Sequence, residues 1–215
     1  MTDLWSERAR RYAESDAHRA GDDLDLLVSW AVGAESALDV ATGGGHVARR
    51  LREAGVAVVT CDPARGMHPD VVCSAEDLPF ADRSFDVVAC RTAAHHFQDV
   101  RRAVAELARV SRDRVLVVDT LNMGDAAEKA ETLRDPSHVR NYTEAEWQDL
   151  LGDAGLEIAE LCVLEHVIDF PAWLERTGCT GETAARVREL WGDRVSRDRL
   201  TLDKIAIRAT VGSGA

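Results

Sequence analysis

Residues 36–62, SALDVATGGGHVARRLREAGVAVVTCD, leave few folds open to the chain. The apolar run from Ala37 to Ala41 ends in Thr42-Gly43-Gly44-Gly45. Helix-forming residues follow from His46 to Ala54, and a second apolar run, Val56 to Val59, closes on Asp62. That order predicts a strand, a glycine turn, a helix and a second, parallel strand, the βαβ unit. Three consecutive glycines at a strand's carboxyl end let a ligand approach backbone that a Cβ would shield, and they open onto the first N–H groups of a helix. Asp62, about 20 residues further on, stands where a carboxylate can take both hydroxyls of a ribose. The expected ligand contains a nucleoside.

The alternation continues along the chain. Residues 3–19 and 22–32 read as two helices ahead of the first strand, with Tyr12 and His18 on the first, placed to close over the ligand edge. A short strand is expected at Asp70 to Cys73 and a buried parallel strand at 84–90. An amphipathic helix follows over 99–111, then a strand from Val115 to Asp119. The polar connection 121–142 should hold a short helix before Pro136. Thr143 and Glu146 form a capping box for a helix that Gly155 ends, and Leu156 to Val163 is a further strand. Residues 171–192 predict two helices. In the last strand Ile205, Ile207, Ala209 and Val211 alternate with Ala206, Arg208 and Thr210, which fits an antiparallel strand added to a parallel sheet. The expected fold class is therefore α/β: a Rossmann-like seven-stranded mostly parallel sheet with a final antiparallel strand and helices on both faces. We expect one domain over residues 1–215, with a helical cap (1–33), a cofactor-binding half (34–120) and a substrate-side half (121–215) carrying a helical insert at about 171–192.

Charge narrows the partners. At −12 the chain repels phosphate backbones and anionic lipid, so nucleic acid and membranes are not expected partners and a neutral or cationic small molecule is. The N-terminal stretch lacks the apolar core of a signal peptide and no run reaches membrane-spanning length, so the expected location is cytoplasmic, as a monomer or homodimer. The five cysteines show no C-x-x-C spacing and read as reduced thiols; no metal site is expected.

Two kinds of nucleoside site begin this way. Gly43-Gly44-Gly45-His46-Val47-Ala48 satisfies the dinucleotide pattern G-x-G-x-x-A, which would make the chain a nicotinamide-dependent oxidoreductase. An acid followed at alternate positions by small residues, here Asp39, Ala41, Gly43 and Gly45, resembles the arrangement with which class I methyltransferases receive S-adenosyl-L-methionine. Charge separates the two: a carboxylate like Asp39 repels a pyrophosphate and attracts an ammonium and a sulfonium. From LDVATGGG through VVTCDPARGM and AEDLPFADRSFDVV to CRTAAHHF, the chain resembles the class I S-adenosylmethionine-dependent methyltransferases, and within them the branch of the ubiquinone and menaquinone biosynthesis C-methyltransferases. The resemblance implies that Gly43 and Gly45 lie against the methionine moiety and that Asp62 takes the ribose hydroxyls. It further implies that Pro63 and Met67 flank the adenine, that Ala75, with Glu76 beside it, meets the ring edge through its backbone, and that the Cys90–Arg91 backbone holds the amino group. Tyr12 would close over the same site. Ser74 stands where relatives place an aspartate, and Ser111-Arg112-Asp113-Arg114 replaces a Pro-Gly-Gly turn, a change expected to alter a surface turn and little else. A protein that binds S-adenosylmethionine and transfers no methyl, such as a cyclase, isomerase or sensor, remains an alternative.

Methyl transfer needs an aligned nucleophile and, for a phenol or a carbon activated by one, a base. His95 and His96, after the fourth predicted strand, and His138 in the 121–142 connection are the candidates, since a histidine titrates near neutrality. No arginine cluster is visible along the sequence, so the expected acceptor is a small neutral or aromatic metabolite.

Overall fold

The structure, a computed structural model, describes residues 19–212. Tyr12 and His18 lie outside the described residues. Seven strands form one sheet: β1 (Ser36–Val40), β2 (Ala57–Cys61), β3 (Phe85–Arg91), β4 (Ser111–Thr120), β5 (Leu156–Asp169), β6 (Val195–Ser196) and β7 (Arg199–Val211). Their order is β2-β1-β3-β4-β7-β5, with β6 paired to β7. β1 pairs in parallel with β2 and β3, and β3 with β4. β7 runs antiparallel between β4 and β5, so β5 keeps the direction of the first four strands. The sheet is thus mostly parallel with one long reversed strand.

The helices are α1 (Asp22–Trp30), α2 (His46–Glu53), α3 (Val100–Val110), α4 (Asp125–Arg134), α5 (Glu144–Asp153), α6 (Phe170–Thr177) and α7 (Gly181–Trp191). Period-two alternation sorts each inner strand between two cores. Leu38, Val40, Val88 and Cys90 pack under α3 and α5, while Ala37, Val87, Ala89 and Leu116 pack under α1 and α2. A third cluster, with Phe170, Trp173 and Trp191, lies where α4, α6 and α7 meet the ends of β5 and β7. Side chains fix the helix starts. Asp99 accepts the Arg102 amide at 3.0 Å, and Thr143 and Glu146 form the reciprocal capping box.

Three local expectations change. The strand at 70–73 reduces to a single parallel bridge, Cys61 with Val71, because the Asp70 carboxylate takes the amide and hydroxyl of Thr60 at 2.9 and 2.8 Å and pins the segment by a side chain instead of a ladder. The seventh strand is β6, at the hairpin with β7. Residues 111–114 are no surface turn: α3 passes directly into β4, with Ser111 fully buried and its hydroxyl donating to the Arg114 carbonyl at 3.0 Å.

No described helix is long and apolar enough to cross a membrane. All five cysteines are free thiols.

Candidate functional site

Strand order reverses at β1, which sits between β2 and β3, and the crevice at such a reversal lies beyond the strands' carboxyl ends. The glycine loop follows β1, Asp62 follows β2, Arg91 ends β3 with Thr92 after it, and Asp119 and Thr120 end β4. All four strand ends therefore open on the same side.

Asp62 ties two of them together. Its Oδ2 accepts the Gly43 amide at 3.0 Å and its Oδ1 the Ala64 amide at 2.9 Å. A cavity of about 250 Å³ lies against this junction, lined by Ala41, Gly43, Asp62, Pro63, Met67, Ser74, Ala75 and Glu76, and closed by Thr92, Ala93, His96, Phe97 and Gln98. Gly43 has φ +51°, and a Cβ there would approach only the Ala41 carbonyl, at 4.0 Å, on a wall of the cavity. Ala41 itself holds φ +54°, a conformation that costs an alanine roughly 1–2 kcal/mol. The Ser74 hydroxyl donates to the Glu76 carboxylate.

Asp39 lies behind the loop, in a smaller hollow that it shares with Thr42, Gly44, His46 and Arg91. Its Oδ2 accepts the Thr42 hydroxyl at 2.6 Å and the Ala48 amide at 3.1 Å. Burial outweighs these two neutral donors and raises its pKa to about 6. Gly45, with φ +73°, caps α2 and Cys90 is buried in the sheet, and neither is among the residues lining the cavity or the hollow just described. The Arg91 side chain turns to α1: Nε and Nη2 donate to Asp23 at 3.0 and 3.1 Å, and Lys204 Nζ donates to the same carboxylate at 2.9 Å.

A second cavity, of about 60 Å³, shares Thr92 and His96 with the first. His95, Thr120, Glu131 and Arg134 line one part of it, and His166, Ile168, Trp173, Arg176, Leu202 and Lys204 the rest. Thr92, which lines both cavities, has φ +55°, strained for a β-branched residue. His95 Nδ1 lies 2.5 Å from Asp119 Oδ1, while Asp119 also accepts the amides of His95 and Thr120 at 3.1 and 2.8 Å. Burial alone would depress the His95 pKa, but the charge and hydrogen bond of Asp119 prevail and hold it above the usual value. For Asp119 burial works upward, and His95 prevails to hold it below the carboxylate range. His96 differs: its Nδ1 faces the Ser137 carbonyl at 3.0 Å, and burial, with the neighbouring His95 charge, pushes its pKa down to about 3.

His138, the third expected base, is buried and lines neither cavity. Its Nε2 meets Glu128 at 3.2 Å, and its ring packs 5.6 Å from that of His95 and 6.4 Å from that of His96. Among the described residues no set of three or more His, Cys, Asp or Glu side chains is arranged to hold a metal ion.

Sequence reasoning missed Thr92, Asp119, Arg134, Arg176 and Lys204. Asp119 carried a usable signal, an acid at the end of a predicted parallel strand, as Asp62 nearly is. The expectation of no arginine cluster also changes, because Arg134 and Arg176, distant in sequence, share one cavity.

A model of the methyltransferase domain matches residues 38–118. Over 208 residues the chain is 31% identical to the uncharacterized methyltransferase YcgJ of Bacillus subtilis, covering 85% of this chain and 82% of that protein. It is 37% identical over 99 residues to a demethylmenaquinone methyltransferase of Renibacterium salmoninarum, covering 40% of this chain and 42% of that enzyme. Among solved structures it is similar to a putative methyltransferase from Bacillus halodurans, with a TM-score of 0.78 and 29% identity, covering 90% of this chain and all of that one.

Proposed function

The chain belongs to the methyltransferase-domain family as an S-adenosylmethionine-dependent enzyme, and from that premise we propose that it methylates a small-molecule metabolite at carbon or oxygen, with the donor in the larger cavity and the acceptor in the second. The observation that carries this reading is that Thr92 and His96 line both cavities, so the two adjoin at these residues.

The residues present fit the donor. Pro63, Met67 and Phe97 offer apolar walls to an adenine, and Ser74, Ala75 and Glu76 offer polar atoms at its edge. Asp62 would take the ribose hydroxyls from a carboxylate already fixed by two amides. Gly43 and Gly45 leave the loop open to the methionine moiety, beside the Cys90–Arg91 backbone. Asp39, buried with only neutral hydrogen-bond donors, is a carboxylate that a cationic neighbour would stabilise. When bound, S-adenosylmethionine supplies a methyl group already activated by its sulfonium.

The protein's part is to align the acceptor and to remove a proton where one is present. With Nδ1–H donated to Asp119, His95 keeps Nε2 as its proton acceptor, and Asp119 strengthens it as a base. His95 would take the hydroxyl proton of a phenol or enol, leaving the oxygen, or a carbon conjugated to it, as the nucleophile. His96, nearly always neutral, is too weak a base for that step and shapes the junction instead. The resemblance to the quinone-biosynthesis branch supports carbon or phenolic oxygen as the methylated atom, although the chain spans less than half of that relative.

A methyl-labelled donor offered with phenols, hydroxy acids, quinols and amines, and in parallel with RNA and protein, tests the assignment. Label is expected in the phenol, hydroxy-acid or quinol products. Label confined to RNA, protein or amines would contradict it.

A further inference from the structure

The turn that carries His95 and His96 is held from two sides. Asp119, at the end of β4, accepts the His95 amide and lies against its ring. From the other side the loop after α4 reaches the same residue through backbone: the His95 carbonyl accepts the amides of Val139 and Arg140 at 2.9 and 3.2 Å. The Ser137 carbonyl meets His96 Nδ1, and the His138 ring packs against both histidines. The place of this loop therefore bears directly on the place of His95.

One side chain outside the loop gathers it. Glu128, in the first turn of α4, accepts the Asn141 amide on Oε2 at 3.0 Å and the Asn141 side-chain amide on Oε1 at 2.8 Å. The same Oε2 lies 3.2 Å from His138 Nε2. Burial works to raise the Glu128 pKa, but the bonds from His138 and Asn141 prevail and hold it below the usual range, so the group is a charged acceptor at neutral pH. A carboxylate only accepts, which makes Nε2 the protonated nitrogen of His138. His138 Nδ1 is buried and has no hydrogen-bond partner among the described residues, so Glu128 alone orients that ring. The His138 side chain is 1% exposed, the setting of a strut and not of a base that meets substrate.

We propose that Glu128 is a positioning residue for His95: through His138 and Asn141 it fixes the loop whose amides hold the His95 carbonyl and whose imidazole packs beside the His95 ring. This rests on the reading of His95 as the general base, a group for which a displacement of about 1 Å costs on the order of 10²-fold in rate. It gives His138, expected from sequence to be a base, a supporting part.

Proton NMR of the full chain with nitrogen-labelled histidine tests it without an acceptor. A bond as short as that from His95 to Asp119 gives a far-downfield Nδ1 proton signal, identified by its loss in His95→Gln. Glu128→Ala is expected to move that signal upfield and broaden it. Glu128→Gln, which keeps the volume and one accepting oxygen, should move it less, and it decides the matter if the alanine variant does not fold. Asp86→Ala removes a carboxylate that holds Glu35 and Ser36 at the opposite end of the sheet, and should leave the signal in place even though it lowers stability. A signal unmoved by both Glu128 variants, or moved as far by Asp86→Ala, overturns the positioning role. Failure of the wild type to bind S-adenosylhomocysteine in a parallel titration overturns the methyltransferase reading instead, and with it the reaction that Glu128 would serve.

Discussion

His95 Nδ1 and Asp119 Oδ1 lie 2.5 Å apart across the carboxyl ends of two neighbouring parallel strands, β3 and β4. Asp119 is held in turn by the amides of His95 and Thr120, so the carboxylate cannot swing away without losing both. A charge-assisted bond in this setting fixes which ring nitrogen carries the proton and raises the basicity of the other.

The rate should therefore follow the deprotonated form of His95. Because Asp119 raises the His95 pKa above 6.5, kcat/KM is expected to rise with pH through a midpoint above that value. Asp119→Asn should move the midpoint down and lower kcat by roughly 10²–10⁴-fold, the range for loss of a general base. His96→Ala should leave the midpoint in place. A midpoint that Asp119→Asn does not move would remove His95 from the proton-transfer step.

Asp39 exchanges stability for binding. Its folded pKa, about 6, exceeds the unbound reference of 3.8, so the native state gains from the bound proton below 3.8 and loses that gain as pH rises through about 6. At neutral pH the buried charge destabilises the empty protein by up to about 3 kcal/mol. Asp39→Asn should raise the melting temperature at pH 7 and weaken S-adenosylmethionine binding by about tenfold or more. A lower melting temperature with unchanged affinity would contradict this account of the residue.

The buried Asp23 carboxylate joins α1 to the ends of β3 and β7 through Arg91 and Lys204. Those two cations outweigh burial and hold its pKa well below 3.8, so its contribution is present above 3.8 and is lost as pH falls below it. Asp23→Ala removes the carboxylate that Arg91 and Lys204 share and is expected to cost about 3–5 kcal/mol in chemical denaturation at neutral pH. A loss under about 1 kcal/mol would mean that water, and not Asp23, solvates them.

Gly43 is needed for its conformation and for its missing side chain. At φ +51° an alanine costs roughly 1–2 kcal/mol, yet the nearest atom to its Cβ is 4.0 Å away. Gly43→Ala should therefore fold, with a modest fall in melting temperature, and lose most of its affinity for S-adenosylhomocysteine because the methyl enters the cavity. Retained affinity would place the ligand elsewhere.

The parts of the molecule legible in sequence are those built from contiguous residues. The βαβ unit, the glycine loop and Asp62 lie within 27 residues, and solid apolar runs identify β1, β2, β3 and β4 before any contact is known. Asp70 shows where that reading stops. The apolar residues after it suggest a strand, but its own side chain bonds Thr60 and halts the ladder after one bridge. The alternation of β7 announced an antiparallel strand but not its place between β4 and β5, which depends on the crossover through α4 and α5. The second cavity was the least legible. Thr92 stands within CRTAAHHF with nothing in sequence to single it out, Arg134, Arg176 and Lys204 belong to no local motif, and only the folding of the second half of the chain against β4 brings them together.

A crystal structure of the complex with S-adenosylhomocysteine tests the central claim most directly, because it needs no knowledge of the acceptor. The account predicts the adenosine against Asp62, Met67 and Ser74, with the sulfur at the junction formed by Thr92 and His96 and directed into the cavity that holds His95. An adenosine in the second cavity, or a sulfur directed away from Thr92 and His96, would contradict it.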